Sequence, residues 1–455
     1  MTFTSMNPHR PADVVATAEE TDVGSVDRAV KVAGPAADVW WHQPVAARSA
    51  ALRGIGDTLR DRLEELAQLT TREIGKPITE ARGEVVRAIS IFHYYAQMLL
   101  GPDGESYPAS LPGAWLLVRR FPIGVCGLVT PWNFPVAIPA WKLAPAIAYG
   151  NAVLLKPAPP ATQTALLLGE IVNAHVPGDL VQVLPGGGPT GEALVGHRGV
   201  GAISFTGSAA VGRMVAPAVV SRGGKVQCEM GGQNASLVLA DADLDRAVQA
   251  ISFAAMGYAG QKCTATSRVI VEAPVYDEFR SLLVDAVEAM QVRDPSRDEC
   301  QVGPLIDEAS RDRALRAIAA SGGDVLTGGA AMEGDGFYLQ PTLVEVRDGE
   351  DILAQEEVFA PVTALMRADS ADAAVDIAND VRYGLSAAIF TSDLGGTIRL
   401  GDRLEAGLVR VNAPTAGVDF HVPFGGLKDS SLGSREQGLA ARDFYSETRT
   451  IMIAG

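Results

Sequence analysis

From residue 121 onward, short apolar and β-branched runs alternate with stretches of helical periodicity. This alternation restricts the fold more than any other feature of the chain. Val125-Cys126-Gly127-Leu128-Val129, Ala152-Val153-Leu154-Leu155, Val181-Gln182-Val183-Leu184 and Ala202-Ile203-Ser204-Phe205 read as strands, with helices expected over 164–174 and 190–196. After Glu229 the pattern resumes, with strands over 236–239, 267–271 and 387–390 and helices over 244–259, 275–290 and 308–321. Strands separated by helical stretches connect by crossovers rather than hairpins, so they line up in parallel. The expectation is an α/β protein with two parallel-sheet halves and a boundary near 229. Apolar periodicity over 25–37, 46–68 and 84–100 makes the first hundred residues mostly helical. Segments 105–120 and 444–453 read as isolated extended pieces. The second has no later strand to pair with, so its edge needs covering, for example by a second copy of the chain.

A chain of 455 residues divides into two or three domains. Its net charge of -16 argues against nucleic acid and anionic membrane surfaces as partners. The uncharged segment 121–141 is long enough to span a bilayer, but Pro122, Pro131, Pro135 and Pro139 would interrupt a helix repeatedly. A strand, a turn and a helix start account for it better. The four cysteines, Cys126, Cys228, Cys263 and Cys300, lie far apart and suit neither a disulfide framework nor a zinc site. They fit a reducing cytoplasm. The six histidines show no metal-ligand spacing, and the N-terminus has no signal-peptide pattern, so no metal and a cytoplasmic location are expected.

Chemistry-bearing residues cluster at strand ends and in polar loops. Cys263 sits in Gly260-Gln261-Lys262-Cys263-Thr264-Ala265, a polar setting that suits a nucleophile better than a structural thiol. Asn133, in Pro131-Trp132-Asn133-Phe134-Pro135, follows a strand; its amide could donate to an oxyanion or serve a proline-rich turn. Lys156 ends the next strand, where it could meet a ribose or phosphate, or water. Phe205-Thr206-Gly207-Ser208 forms a strand, a glycine turn and a helix start, which aims N–H groups at a phosphate without the GxGxxG spacing. Glu229, at the boundary, could be a general base or a surface group.

Taken in order, these motifs resemble the aldehyde dehydrogenase superfamily. They include Glu229 with Gly231-Gly232, Glu357 with Phe359, and Pro423-Phe424-Gly425-Gly426. The resemblance runs from about Asn7 to the C-terminus. It implies a Rossmann-like cofactor domain from 1–104 and 121–229, a catalytic domain from 230–440, and a small β oligomerisation arm from 105–120 and 441–455. It implies that Cys263 attacks an aldehyde to form a thiohemiacetal and then a thioester. Asn133 and the Cys263 N–H would hold the oxyanion, and Glu229 would activate the hydrolytic water. Trp132, Lys156, Ser208 and Glu357 would bind NAD or NADP, with Thr130, Thr206, Gly207, Gly231 and Phe359 beside them. Lys142 and Glu447 would pass protons away from the base, or form a structural ion pair. A homodimer or homotetramer is implied.

Three departures stand out. Pro159 occupies the position where NAD-using relatives commonly carry Glu, so NADP use is plausible. Gln233 and Ala360 replace a usual Lys and Gly. An N-terminal hairpin common in relatives is expected to be missing. Residues 411–426 and 260–268 look like the branch of 2-oxoglutarate semialdehyde dehydrogenases, with succinate semialdehyde dehydrogenases close in texture. Lys262 and His421 would then read a substrate carboxylate, and Lys262 would favour the Cys263 thiolate. Otherwise Lys262 faces solvent and His421 packs on Trp141. Phe134, Ile138, Trp141 and Phe424 would form an apolar wall. The other readings are a cofactor-independent cysteine hydrolase and a non-catalytic scaffold, but Lys156, Ser208 and Glu357 would be idle in a hydrolase. A scaffold would have lost Cys263, Asn133 or Glu229.

Overall fold

The computed structural model describes residues 2–454; positions 1 and 455, the ends of the expected first unit and arm, lie outside the described residues. Two sheets position the site. The first runs Ser431–Leu432, Lys225–Glu229, Ala202–Thr206, Val125–Thr130, Ala152–Pro157, Val181–Val183. All of its pairings are parallel except that of the two-residue strand Ser431–Leu432. Chain order reverses at Val125–Thr130: the next two strands lie to one side, the following two to the other. Such a reversal opens a crevice outside the carboxyl ends of the strands, here between Thr130 and Thr206.

The second sheet runs Asp324–Thr327, Thr342–Glu345, Val362–Ala368, Thr266–Glu272, Asn234–Val238, Ser386–Phe390, Leu408–Val411, with Asp324–Thr327 antiparallel. Residues 230–233 carry the chain from the first sheet to the second. Glu229 therefore ends one sheet close to where Asn234 begins the other. Ser431–Leu432, numerically inside the expected second unit, hydrogen-bonds to the edge of the first sheet. Both sheets are apolar on both faces, as parallel sheets covered by helices must be; Leu128, Leu154, Ile203, Leu237 and Ile270 are fully buried.

The uncharged segment 121–141 becomes a strand end, a proline turn and the start of helix Ala137–Ala148, every residue of which is buried. No helix among the described residues is long and apolar enough to cross a membrane. The helix expected over 46–68 breaks at Arg62 into Val45–Asp61 and Leu63–Ile74. Ahead of the first helix lies a hairpin, Thr2–Asn7 with Arg10–Glu19, which turns at Pro8-His9. The C-terminal strand Ser446–Ile453 also differs from expectation. Its partner is Trp115–Pro122, paired antiparallel, with Gly104–Tyr107 beyond it. The partner precedes it by more than three hundred residues, beyond the reach of any local pattern.

Candidate active site

The Cys263 loop is held by backbone strain and side-chain staples. Helix Leu244–Met256 gives way to Tyr258 (φ 55°), Ala259 (φ 52°) and Gly260 (φ 65°), three successive left-handed residues. Such conformations cost about 1–3 kcal/mol at each non-glycine position and persist only where the surroundings fix them. Gln261 does part of the fixing: its Oε1 accepts the Ile306 N–H (2.9 Å) and its Nε2 donates to the Pro304 carbonyl (3.1 Å). Asn234 does more, since its Nδ2 donates to the carbonyls of Cys263 (2.8 Å) and Ala265 (2.7 Å). Asn133 joins from the first sheet, donating from Nδ2 to the Gln261 carbonyl at 2.9 Å. The amide retains a second N–H. The Cys263 side chain is partly exposed. Burial pushes its thiol up to about 12, the carboxylates of Glu357 and Glu229 add to the shift, and its own main-chain N–H works in the other direction.

Glu229 is buried, with Oε2 accepting from Ser431 Oγ at 2.6 Å and Oε1 without a partner among the described residues. Burial first, and then the charge of Glu436, raise its carboxyl well above the usual range. The Lys142 assignment needs correcting. Lys142 Nζ is ion-paired to Glu436, not Glu447, and donates to Ser204 Oγ at 2.6 Å. Ser204 Oγ in turn donates to Glu436 Oε1 (3.0 Å), and Gln227 Nε2 donates to Ser204 Oγ (2.9 Å). Glu447 lies on the outlying three-stranded sheet, exposed, and pairs with Lys225 at 3.1 Å. Strand register places it opposite Phe121, away from the buried helix that carries Lys142.

The crevice at the strand reversal collects unpaired polar groups. Thr130 Oγ1 and Thr206 Oγ1 are buried without partners among the described residues. The Lys156 ammonium is buried and makes no hydrogen bond or ion pair among the described residues; burial lowers its pKa to about 8, with Glu20 opposing. Ser208 precedes helix Ala209–Val220 and makes no side-chain cap, and the first turn holds no acidic residue. Its N–H groups are therefore open to an anion. Trp132 meets Phe359 edge to face at 5.8 Å, linking the two halves. Glu357 accepts the Gly232 N–H at 3.1 Å, and burial pushes its carboxyl up to about 7. A Cβ at Gly231 would collide with Glu357, which ties that glycine to the carboxylate. Orphaned hydroxyls, a lysine lacking a carboxylate and a free helix start fit a dinucleotide, so the residues suit NAD or NADP.

On the substrate side, Ile138, Trp141 and Phe424 are buried, and Trp141 packs on Phe424 at 5.5 Å. Phe134 lies under the buried Lys76 ammonium, 3.7 Å from ring centroid to Nζ. Lys262 does not face solvent. Its ammonium donates to Glu80 Oε1 at 2.9 Å and rests over the Phe253 ring at 4.7 Å. A buried cation takes the nearest carboxylate, and here that is Glu80. His421 is exposed and meets Phe420 edge to face (5.5 Å), not Trp141.

Sequence reasoning missed Arg87. It lies on helix Ile78–Met98, three residues after Glu84, whose Oε1 accepts the N–H groups of Val136 and Ala137. Seven residues on, on the same helix face, Tyr94 meets Phe420 edge to face at 5.8 Å. Arg87 is half-buried on that face, near enough to Asp419 of the 419–421 loop to feel its charge. It makes no hydrogen bond or ion pair among the described residues; burial depresses its pKa, while Asp419 acts in the other direction. Its helix reads as a plain amphipathic pattern, so the sequence carried no signal for it. Glu436 carried only the signal of a charged residue shortly after the Pro423–Gly426 motif.

Residues 1–451 match the family model described as "Aldehyde dehydrogenase family". An alpha-ketoglutaric semialdehyde dehydrogenase of Bacillus subtilis is 40% identical over 98% of this chain and 93% of its own length. An alpha-ketoglutarate semialdehyde dehydrogenase of Haloferax volcanii is 41% identical over 98% and 94%. Among solved structures, a betaine aldehyde dehydrogenase of Staphylococcus aureus in complex with NAD+ superposes with a TM-score of 0.96 at 27% identity, covering 99% of this chain and 91% of that one.

Proposed function

This chain belongs to the aldehyde dehydrogenase family, and from that premise we propose that it oxidises a small semialdehyde bearing a carboxylate, 2-oxoglutarate semialdehyde foremost, to the acid with NAD or NADP. The observation that carries the reading is the meeting of three things at the strand-reversal crevice: the Cys263 loop, a carboxyl with one free oxygen, and a set of orphaned cofactor-side groups.

The Cys263 thiol releases its proton to solvent as its sulfur adds to the aldehyde carbon. The Cys263 N–H and the spare Asn133 N–H receive the developing oxyanion, each donor contributing a few kcal/mol. A bound nicotinamide cofactor would supply the hydride acceptor. A thioester on Cys263 remains; Glu229 Oε1 takes a proton from water, whose oxygen attacks the acyl carbon and releases the acid and the thiol. On the cofactor side, Lys156 and Thr130 would hold the adenosine half, Thr206 and Ser208 the phosphates, and Glu357 the nicotinamide ribose. Arg87, rather than Lys262, meets the far carboxylate of the substrate.

Pro159 begins a short turn and offers no carboxylate to a 2′-hydroxyl or against a 2′-phosphate, so both cofactors are accepted. The first sheet serves cofactor binding and the second catalysis. The arm Gly104–Tyr107, Trp115–Pro122 and Ser446–Ile453 exposes Trp115, Met452 and Ile453 and builds a homodimer or homotetramer. Four unpaired thiols suit the cytoplasm.

The test is NADH or NADPH formation with a panel of aldehydes, for the wild type and Cys263→Ala. Turnover should be greatest with short semialdehydes and abolished by the substitution. The reading fails if the wild type reduces neither cofactor with any aldehyde, or if Cys263→Ala keeps its rate.

A further inference from the structure

Glu229 has an unusual neighbour across the sheet. The two-residue strand Ser431–Leu432 pairs antiparallel with Lys225–Glu229, in the register Ser431 to Glu229 and Leu432 to Cys228. Ser431 therefore stands beside the carboxyl by backbone pairing, before any side-chain contact is counted. Its hydroxyl accepts the Gly426 N–H at 2.6 Å and lies 2.6 Å from Glu229 Oε2. A hydroxyl has one proton. With the Gly426 N–H already pointing at the oxygen, that proton goes to Glu229, so the chain of donation runs Gly426, Ser431, Glu229. The second oxygen, Oε1, stays unpartnered among the described residues. It lies over Gly425 (φ 151°), where a Cβ would stand 2.8 Å away.

We infer that Ser431 is the positioning residue for thioester hydrolysis: its hydroxyl, itself held by the Gly426 N–H, anchors one oxygen of Glu229 and leaves the other to take the proton of the attacking water. The inference rests on the reading of Glu229 as the base. The hydrolytic step balances within that reading: water gives a proton to Oε1, its oxygen bonds the acyl carbon, the C–S bond breaks, and the Cys263 sulfur recovers the proton.

Ser431 has a task here because everything else around Glu229 is unfavourable or distant. Burial and the Glu436 carboxylate oppose the charged form; Lys142 and Arg435 favour it from further off, and the Lys142 ammonium is engaged by Glu436. The Ser431 hydroxyl is the donor in direct contact. Removing a donor to a carboxylate shifts its ionisation upward by about one to two pH units. The acid-side limb of turnover, which needs the charged form, therefore moves to higher pH. Hydride transfer precedes the hydrolytic step and does not need that water.

The test is rapid-mixing kinetics of the full chain with NAD and an aldehyde substrate, for the wild type, Ser431→Ala, and the near-isosteric pair Ser431→Thr and Ser431→Val. The expectation for Ala and Val is a burst of about one NADH per site at the wild-type rate. It should be followed by turnover slowed at least tenfold at pH 7, with the acid limb moved up by about one unit or more. Thr, which keeps the hydroxyl, should behave as wild type. Thr and Val differ in little but the hydroxyl, and thermal melting confirms that each variant is folded. The inference is overturned if Ala and Val keep the wild-type turnover and pH profile. It is equally overturned if burst and turnover fall together, or if Thr matches Val. A wild type that oxidises no aldehyde overturns the functional reading and this inference with it; the other outcomes overturn only this one.

Discussion

Replacing Arg87 by leucine separates substrate recognition from stability. The guanidinium lies partly buried on helix Ile78–Met98 with no counter-ion among the described residues, and burial depresses its pKa. A hydrogen bond from such a group to a substrate carboxylate contributes about 1.5–3 kcal/mol. Arg87→Leu should therefore lower kcat/KM for a carboxylate-bearing semialdehyde by about 10- to 150-fold. Propanal, with no carboxylate, should change by less than about threefold. Leucine replaces the apolar stem and removes a half-buried charge that makes no direct ion pair among the described residues, so the urea midpoint should stay the same or rise. Lys262→Met is the counter-case. It strands the largely buried Glu80, whose side chain is 19% exposed, and should cost about 1–3 kcal/mol of stability while leaving the ratio of the two aldehydes unchanged. The assay is steady-state NADH formation with both aldehydes, paired with urea unfolding. Equal loss on the two aldehydes for Arg87→Leu, or discrimination lost in Lys262→Met instead, would refute the reasoning.

Further outcomes follow from single contacts. Glu436→Gln leaves the buried Lys142 without a carboxylate and should cost about 3–5 kcal/mol in urea unfolding, against less than about 0.5 for the exposed Glu447→Gln; comparable losses would contradict the pairing. Gly260→Ala places a Cβ against the Ala360 carbonyl in a left-handed residue, so both stability and the Cys263 loop should suffer, measured as a lowered melting temperature and lost activity. Iodoacetamide labelling of Cys263 in the cofactor-free protein should be slow at pH 7 and climb steadily to pH 10, because its thiol is pushed up to about 12; a plateau below pH 9 would show a thiolate stabilised by a cation.

Much of the architecture was legible before any coordinates. The strands expected over 125–129, 152–155 and 202–205 appear within a residue or two of their expected ends. Asn133, Lys156, Thr206 and Ser208 were placed at strand ends by the same alternation. The less legible parts are those where a local rule met a distant partner. Helical periodicity ran through Arg62 because no proline or glycine marks the break there. The final strand looked partnerless because its partner lies at Trp115–Pro122. Lys262 was put next to the substrate because it is next to Cys263 in sequence, although its ammonium is claimed by a helix that begins at Ile78.

The sequence by itself determined the period of each element, the parallel sheets that follow from strand–helix alternation, and the identity of the reactive groups, because these depend on residues within one or two turns of each other. Only the tertiary structure decided who faces whom. It assigned Lys142 to Glu436, Lys262 to Glu80 and Ser431 to Glu229, and it left Arg87 with none among the described residues. The physical reason is that a buried charge or hydroxyl takes the partner that strand register and helix packing bring within about 3 Å, and neither is written in the neighbouring residues.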